Sequence, residues 1–125
     1  LKSILKTMLY LGVALLFQSC CTVNIDRWEK QDTVLQATYT ALHILDWAQT
    51  REIERNQAYH ELNPILGRHP SEGRINTYFA STLLGHTLVS VLLPKPYRTW
   101  WQCVTIGIEA GVTGRNYIIG VQGGF

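Results

Sequence analysis

Residues 75–93 form a nineteen-residue run without a charged side chain, if His86 is neutral, and Pro94-Lys95-Pro96 closes it. As a helix rising about 1.5 Å per residue, the run is roughly as long as the hydrocarbon core of a bilayer is thick. Proline lacks the backbone N–H and disfavours helix at the residue before it, so the stop is sharp. Three further apolar stretches, 4–17, 34–48 and 104–119, alternate with segments where the charges gather. This pattern predicts an all-α chain: a three-helix membrane bundle after an N-terminal signal segment. A water-soluble bundle of long buried helices is the alternative, because Ser, Thr, His, Asp and Glu interrupt the runs.

With 125 residues there is room for one domain. A net charge of +2 and the absence of a Lys/Arg run predict no nucleic-acid partner. Of the three cysteines, Cys20 and Cys21 are adjacent and Cys103 stands alone, which gives no disulfide framework. Cys103, beside Trp100 and Trp101, reads as a packing residue.

The N-terminus carries Lys2 and Lys6, an apolar run over 8–17, and then Gln18-Ser19-Cys20. A positive start, a short apolar stretch and a small residue before the cut describe an export signal. The cysteine directly after Ser19 makes residues 1–21 resemble the bacterial lipoprotein class. That resemblance implies a diacylglyceryl group (the palmitate-type anchor) on Cys20 and cleavage just before it. The expected organisation is a signal peptide over 1–19, a lipidated linker over 20–32, a helical membrane domain over 33–119 and a flexible tail over 120–125. An uncleaved anchor in which Cys20 is incidental is the competing reading.

Within the membrane domain, helices are expected over about 33–56, 75–93 and 99–119. Between the first two, Asn63 is placed to cap a short helix with Pro64 at its first position and Gly67 ending it. Ser71 is placed to cap the next helix. Trp100, Trp101 and Tyr117 stand near the ends of the last helix, where aromatic side chains favour the headgroup level.

At 100° per residue the polar side chains line stripes. Gln36, Thr40, His43, Asp46 and Thr50 share one side of the first helix. Thr82, His86 and Ser90 recur on the second; Gln102, Thr105, Glu109, Thr113 and Asn116 on the third. An ionisable group in hydrocarbon costs about 2.5–3.5 kcal/mol on insertion scales, so it normally pairs or faces a cavity. Asp46 and Glu109 are the two acids concerned, and His43 and His86 the bases that could answer them. Asp46, His86, Glu109 and, from the loop, Glu61 are the candidate catalytic residues, with His43, Thr50, Asn63 and Asn116 in the polar seam. Simple interhelical hydrogen bonding is the plainer reading of the same stripes. Gly107, Gly111 and Gly114 line the opposite side of the third helix. Their Gly-x-x-x-Gly spacing permits close backbone approach and suggests self-association through Gly107 and Gly111. His60, Glu61 and His69 match no common zinc spacing. No metal or other cofactor is expected.

The stretch Asp46-Trp47-Ala48-Gln49-Thr50, followed by Glu61-Leu62-Asn63-Pro64 and a helix start at Pro70-Ser71, resembles small uncharacterised membrane proteins of bacteria and their phages. The resemblance spans 38–116 and implies no particular activity. It does imply that Asp46, Glu61 and Asn63 share a site. The expected role is non-enzymatic, an envelope lipoprotein that acts by interaction. Two alternatives stand beside it: a membrane-embedded enzyme or transporter using the acid and histidine side chains, and a phage lysis or superinfection-exclusion protein. The expected location is the inner membrane with the N-terminus periplasmic; lipid anchoring at the outer membrane is the alternative. Lys and Arg are balanced, four against four, between the loops on the two sides, which leaves orientation open.

Overall fold

The computed structural model describes residues 26–123. The signal segment and Cys20 lie outside the described residues. Three helices follow one another: α1 (Lys30–Arg55), α2 (Glu72–Leu92) and α3 (Tyr97–Ile118). No strand occurs among the described residues. The all-α, three-helix expectation holds, with each helix starting two or three residues earlier than the apolar runs suggest.

Local chemistry explains the boundaries. The Asp32 carboxylate accepts the Glu29 backbone N–H at 2.9 Å, closing the first turn of α1. Ser71 Oγ accepts the Arg74 N–H at 3.3 Å and starts α2, as its position predicts. Pro94 and Pro96 separate α2 from α3. At the end of α3, Gly120 (φ +97°) lets Val121 N–H reach the Asn116 carbonyl at 2.9 Å while Gly120 N–H reaches Tyr117. This is the paired bonding of a Schellman stop, which needs the left-handed conformation that glycine tolerates.

Two local expectations change. Asn63 caps a single turn and no helix: its side chain accepts the Ile65 N–H at 3.0 Å, its carbonyl accepts from Leu66 and Gly67, and Gly67 (φ +83°) then turns the chain away. The stretch after α3 is fastened over 120–123 instead of hanging free. Val121 is fully buried, its carbonyl accepts from Gln49 Nε2 at 3.2 Å, and Gly123 N–H donates to Glu52 Oε2 at 2.7 Å.

α1 is the central element. It packs most extensively on α3, less on α2, and α2 and α3 touch least. The apolar core is small: Leu66, Ile75 and Phe79 cluster at one end with Trp47 and Tyr78 against them. Ten polar or charged side chains are buried among the described residues, against seven apolar ones. Large apolar side chains such as Leu84, Leu88, Ile108 and Ile118 are exposed. Soluble domains usually show the opposite distribution. No helix among the described residues is long and apolar enough to cross a membrane, so the reading of 75–93 as a continuous span is not met by its average hydropathy. The physical reason is the inward polar stripe, which dilutes each helix.

Candidate functional site

The polar stripes of the three helices meet along the bundle axis in successive layers. At the α2–α3 turn, Arg98 is wholly buried beside the equally buried Asp32, with Nη1 3.1 Å from Oδ2. Its guanidinium also donates to the carbonyls of Ser90 (2.7 Å), Asp26 (2.9 Å), Arg27 and Val91, and lies over the Trp28 ring. The fork geometry of Arg suits such a multi-acceptor seat. Asp26 Oδ2 further accepts the Lys95 N–H at 2.8 Å. These contacts tie the segment before α1 to the turn.

The next layer joins all three helices. Gln102 Nε2 donates to the Asp32 carbonyl and to Gln36 Oε1, and Gln36 Nε2 lies 3.3 Å from His86 Nδ1. His86 Nε2 lies 2.8 Å from Thr105 Oγ1, whose own proton points to the Trp101 carbonyl. Nδ1 therefore accepts, Nε2 donates, and His86 is satisfied as a neutral imidazole. Tyr39 stacks on it at 3.5 Å between centroids and Trp101 at 5.3 Å. The structure seats His86 in this closed layer, away from Asp46, Glu61 and Glu109.

Below it, His43 and Glu109 form a close pair, Nδ1 to Oε1 2.7 Å, with side-chain exposures of 3% and 14%. His43 Nε2 faces the Phe79 carbonyl at 3.1 Å and Thr82 Oγ1 at 3.0 Å. The Thr82 proton is directed to the Tyr78 or Phe79 carbonyl, so both neighbours of Nε2 act as acceptors. Nε2 must carry hydrogen, and a second proton must lie in the short contact to Glu109. The pair is neutral as a whole, whichever partner holds that proton.

Next to this pair a cleft of about 350 Å³ opens between α1, α3 and the 56–71 loop. Asp46, Thr50, Glu109 and Asn116 line it from the helices, and Glu61 and Asn63 from the loop. Asn116 Nδ2 bridges Asp46 Oδ1 (3.4 Å) and Gln49 Oε1 (3.2 Å). Glu61 Oε1 accepts the Asn63 N–H at 2.8 Å, which fixes the loop turn. Ile53, Leu62, Leu66, Phe79 and Val112 supply apolar walls. Tyr59 Oη donates to the Ile119 carbonyl at 3.2 Å and ties the loop to the end of α3.

Of the sequence candidates, Asp46, Glu61, Glu109, Asn63, Thr50 and Asn116 come together in one cleft, with His43 behind it; His86 does not join them. Gln49, Tyr39 and Arg98 are interior residues that periodicity had not singled out. Gln49 sits one position from the stripe, and the partners of Arg98 lie 66 and 72 residues away, at Asp32 and Asp26. His60 and His69 are exposed. No group of three His, Cys, Asp or Glu side chains among the described residues is placed to hold a metal ion. Cys103 is exposed and does not pack in the interior. Gly107, Gly111 and Gly114 are exposed too, and a Cβ added at any of them would meet nothing within 4 Å. No family model, curated protein or solved structure matches the chain.

Proposed function

We propose that this protein is a small lipoprotein of the bacterial envelope whose bundle is embedded in the inner membrane and acts by interaction rather than by catalysis. The observation that carries this reading is an uncharged belt common to all three helices. Between Lys30 and Arg51 on α1, and between Arg74 and Lys95 around α2, no exposed side chain is charged. The same holds on α3 between Arg98 and Arg115. At 1.5 Å per residue these intervals rise about 25–32 Å, matching a bilayer core of about 30 Å. Three carboxylates lie within the belt: Asp32 is fully buried with Arg98, and Asp46 and Glu109 are half-buried and line the cleft. Polar residues turned inward lower each helix's average hydropathy while its outer face stays apolar. Tyr97 and Trp100 stand exposed at one end of the belt and Tyr117 at the other, positions that suit aromatic side chains at the two interfaces.

Burial also alters the loop charges that had balanced. Arg98 is sequestered with Asp32, so Arg27, Lys30 and Lys95 remain at the end where the chain enters α1. Arg51, Arg55, Arg68, Arg74 and Arg115 gather at the cleft end. The excess favours a cytoplasmic cleft end and a periplasmic N-terminus. That orientation agrees with lipidation at Cys20. The open glycine face of α3 offers a contact surface for a second helix, and Cys103, one turn before Gly107, lies on it.

Palmitate labelling of wild type and Cys20→Ser, with membrane fractionation and an alkaline wash, tests the placement. The protein should stay with the membrane after the wash, and only wild type should carry label. Release by the wash overturns the embedded bundle. Oxidative cross-linking in a Cys21→Ser background tests self-association: a dimer should form and vanish with Cys103→Ser. A cross-link insensitive to Cys103, or none, removes the α3 contact.

A further inference from the structure

We infer that the cleft between α1, α3 and the 56–71 loop is a binding site for a primary ammonium group carried on an apolar body. The cavity is about 350 Å³, with carboxylates from α1, α3 and the loop set among aliphatic and aromatic side chains. Its charge follows from the contacts already described. The His43–Glu109 pair is neutral, because its hydrogen bonds require the shared proton. Asp46 and Glu61 remain, and neither has a Lys, Arg or His within 4 Å among the described residues. Asp46 has a single hydrogen bond, from Asn116 at 3.4 Å, and its second oxygen has no partner among the described residues. Glu61 uses one oxygen on the Asn63 N–H. Arg115 also lines the cleft, so Asp46 and Glu61 together exceed it by at most one negative charge.

A half-buried carboxylate with one long hydrogen bond is incompletely satisfied until a cation or donor completes it. The side chains are not grouped to close on a metal ion. An ammonium group, with three N–H donors on one small charge, can instead engage Asp46 and Glu61 while its carbon chain lies on Ile53, Leu62 and Val112. Two sources carry this chemistry: a lipid whose headgroup ends in a primary amine, and a free alkylamine. The cleft runs from the uncharged belt to the loop beyond it, the level at which lipid headgroups lie, which favours the lipid. That preference, but not the ammonium chemistry, rests on the membrane placement proposed above.

Native mass spectrometry of the full-length protein released from micelles provides the test. The probes are phosphatidylethanolamine, its trimethylated counterpart phosphatidylcholine, hexylamine and the neutral isostere hexanol. One phosphatidylethanolamine per chain should be retained about tenfold more strongly than phosphatidylcholine, equivalent to roughly 1.4 kcal/mol. Hexylamine should displace it and hexanol should not. Asp46→Asn and Glu61→Gln should each remove the preference, whereas Glu54→Gln, an exposed acid outside the cleft, should keep it. Glu61 lies in the loop, so Glu61→Gln keeps the test decisive where Asp46→Asn impairs folding. Binding of hexylamine alone supports the ammonium site with a soluble ligand. Equal retention of both lipids with equal displacement by hexanol and hexylamine overturns it, as does full binding by Glu61→Gln. None of these readings depends on the alkaline wash, so the two proposals fail separately.

Discussion

His43 Nδ1 lies 2.7 Å from Glu109 Oε1, while His43 Nε2 is confined against two acceptors, the Phe79 carbonyl and Thr82 Oγ1. This arrangement dictates a proton in the short contact and makes the pair a neutral unit inside the bundle. Glu109→Gln changes what is required. The Gln amide can donate to Nδ1, so His43 can stay neutral with hydrogen on Nε2 alone. Imidazole ¹⁵N chemical shifts should report a protonated or proton-shared Nδ1 in wild type and a bare Nδ1 in Glu109→Gln. Identical spectra would mean that Nδ1 carries no proton in wild type and that Glu109 holds it.

Stability of the same variants should separate hydrogen bonding from charge. Glu109→Gln keeps a partner for His43 and should cost about 1 kcal/mol, the typical net worth of a hydrogen bond. Glu109→Ala leaves His43 Nδ1 with only the long 3.4 Å contact to Tyr39 Oη and should cost about 1–3 kcal/mol. Denaturant titration in micelles, followed by helical circular dichroism, measures both. An alanine variant no weaker than the glutamine variant would show that the contact does not stabilise the bundle.

Arg98 and Asp32 are both fully buried, and the guanidinium holds four backbone carbonyls besides the carboxylate. Removing one partner of a buried ion pair typically costs about 3–5 kcal/mol, because the other charge remains desolvated. Arg98→Leu should therefore destabilise by about that amount. The double variant Arg98→Leu/Asp32→Leu should cost less than the sum of the single variants. Additive losses in the double-mutant cycle would mean that the two charges are not coupled.

Why the sequence reveals some of this and not the rest follows from the range of the interactions. Ser71 acts on the N–H three residues on, and Pro94 and Pro96 act on their neighbours, so helix limits are legible to within three residues. Stripes are legible because period 3.6 is a local property, and their convergence follows from packing three of them together. Arg98 reads as a loop charge, because Asp32 and Asp26 are far away in sequence and only the fold brings them near. His86 shares the stripe pattern of Asp46 and Glu109, but period fixes the side of a helix and not the layer along the axis. Val121 looks like part of a glycine-rich tail, since its burial depends on Gln49 and on the Schellman turn before it.

The glycines of α3 give opposite expectations for the single bundle and for its association. Gly107 and Gly111 have helical backbone and open space where a Cβ would stand. Gly107→Ala and Gly111→Ala should each stabilise the isolated bundle by about 1 kcal/mol, the difference in helix propensity. Gly111→Leu should leave folding intact and abolish the Cys103 cross-link. Cross-linking that survives the leucine would place the contact elsewhere.

Gly120 stands at the point where α3, the loop and the cleft are joined. Its φ of +97° is a conformation that side-chain-bearing residues adopt at a cost of about 1–2 kcal/mol. A Cβ there would also lie 3.3 Å from Tyr59 Oη, the hydroxyl that bonds the Ile119 carbonyl. Gly120→Ala should thus lower stability by about 1–2 kcal/mol and loosen two attachments together, Val121 in the core and Tyr59 on α3. Amide hydrogen exchange localises the effect, with Val121 and Gly123 losing protection before the middle of α1 or α2. The Val121 amide is informative because its 2.9 Å bond to the Asn116 carbonyl exists only while the left-handed turn is kept. Uniform loss of protection across the bundle would mean that the turn is integral to global folding rather than a local latch beside the cleft.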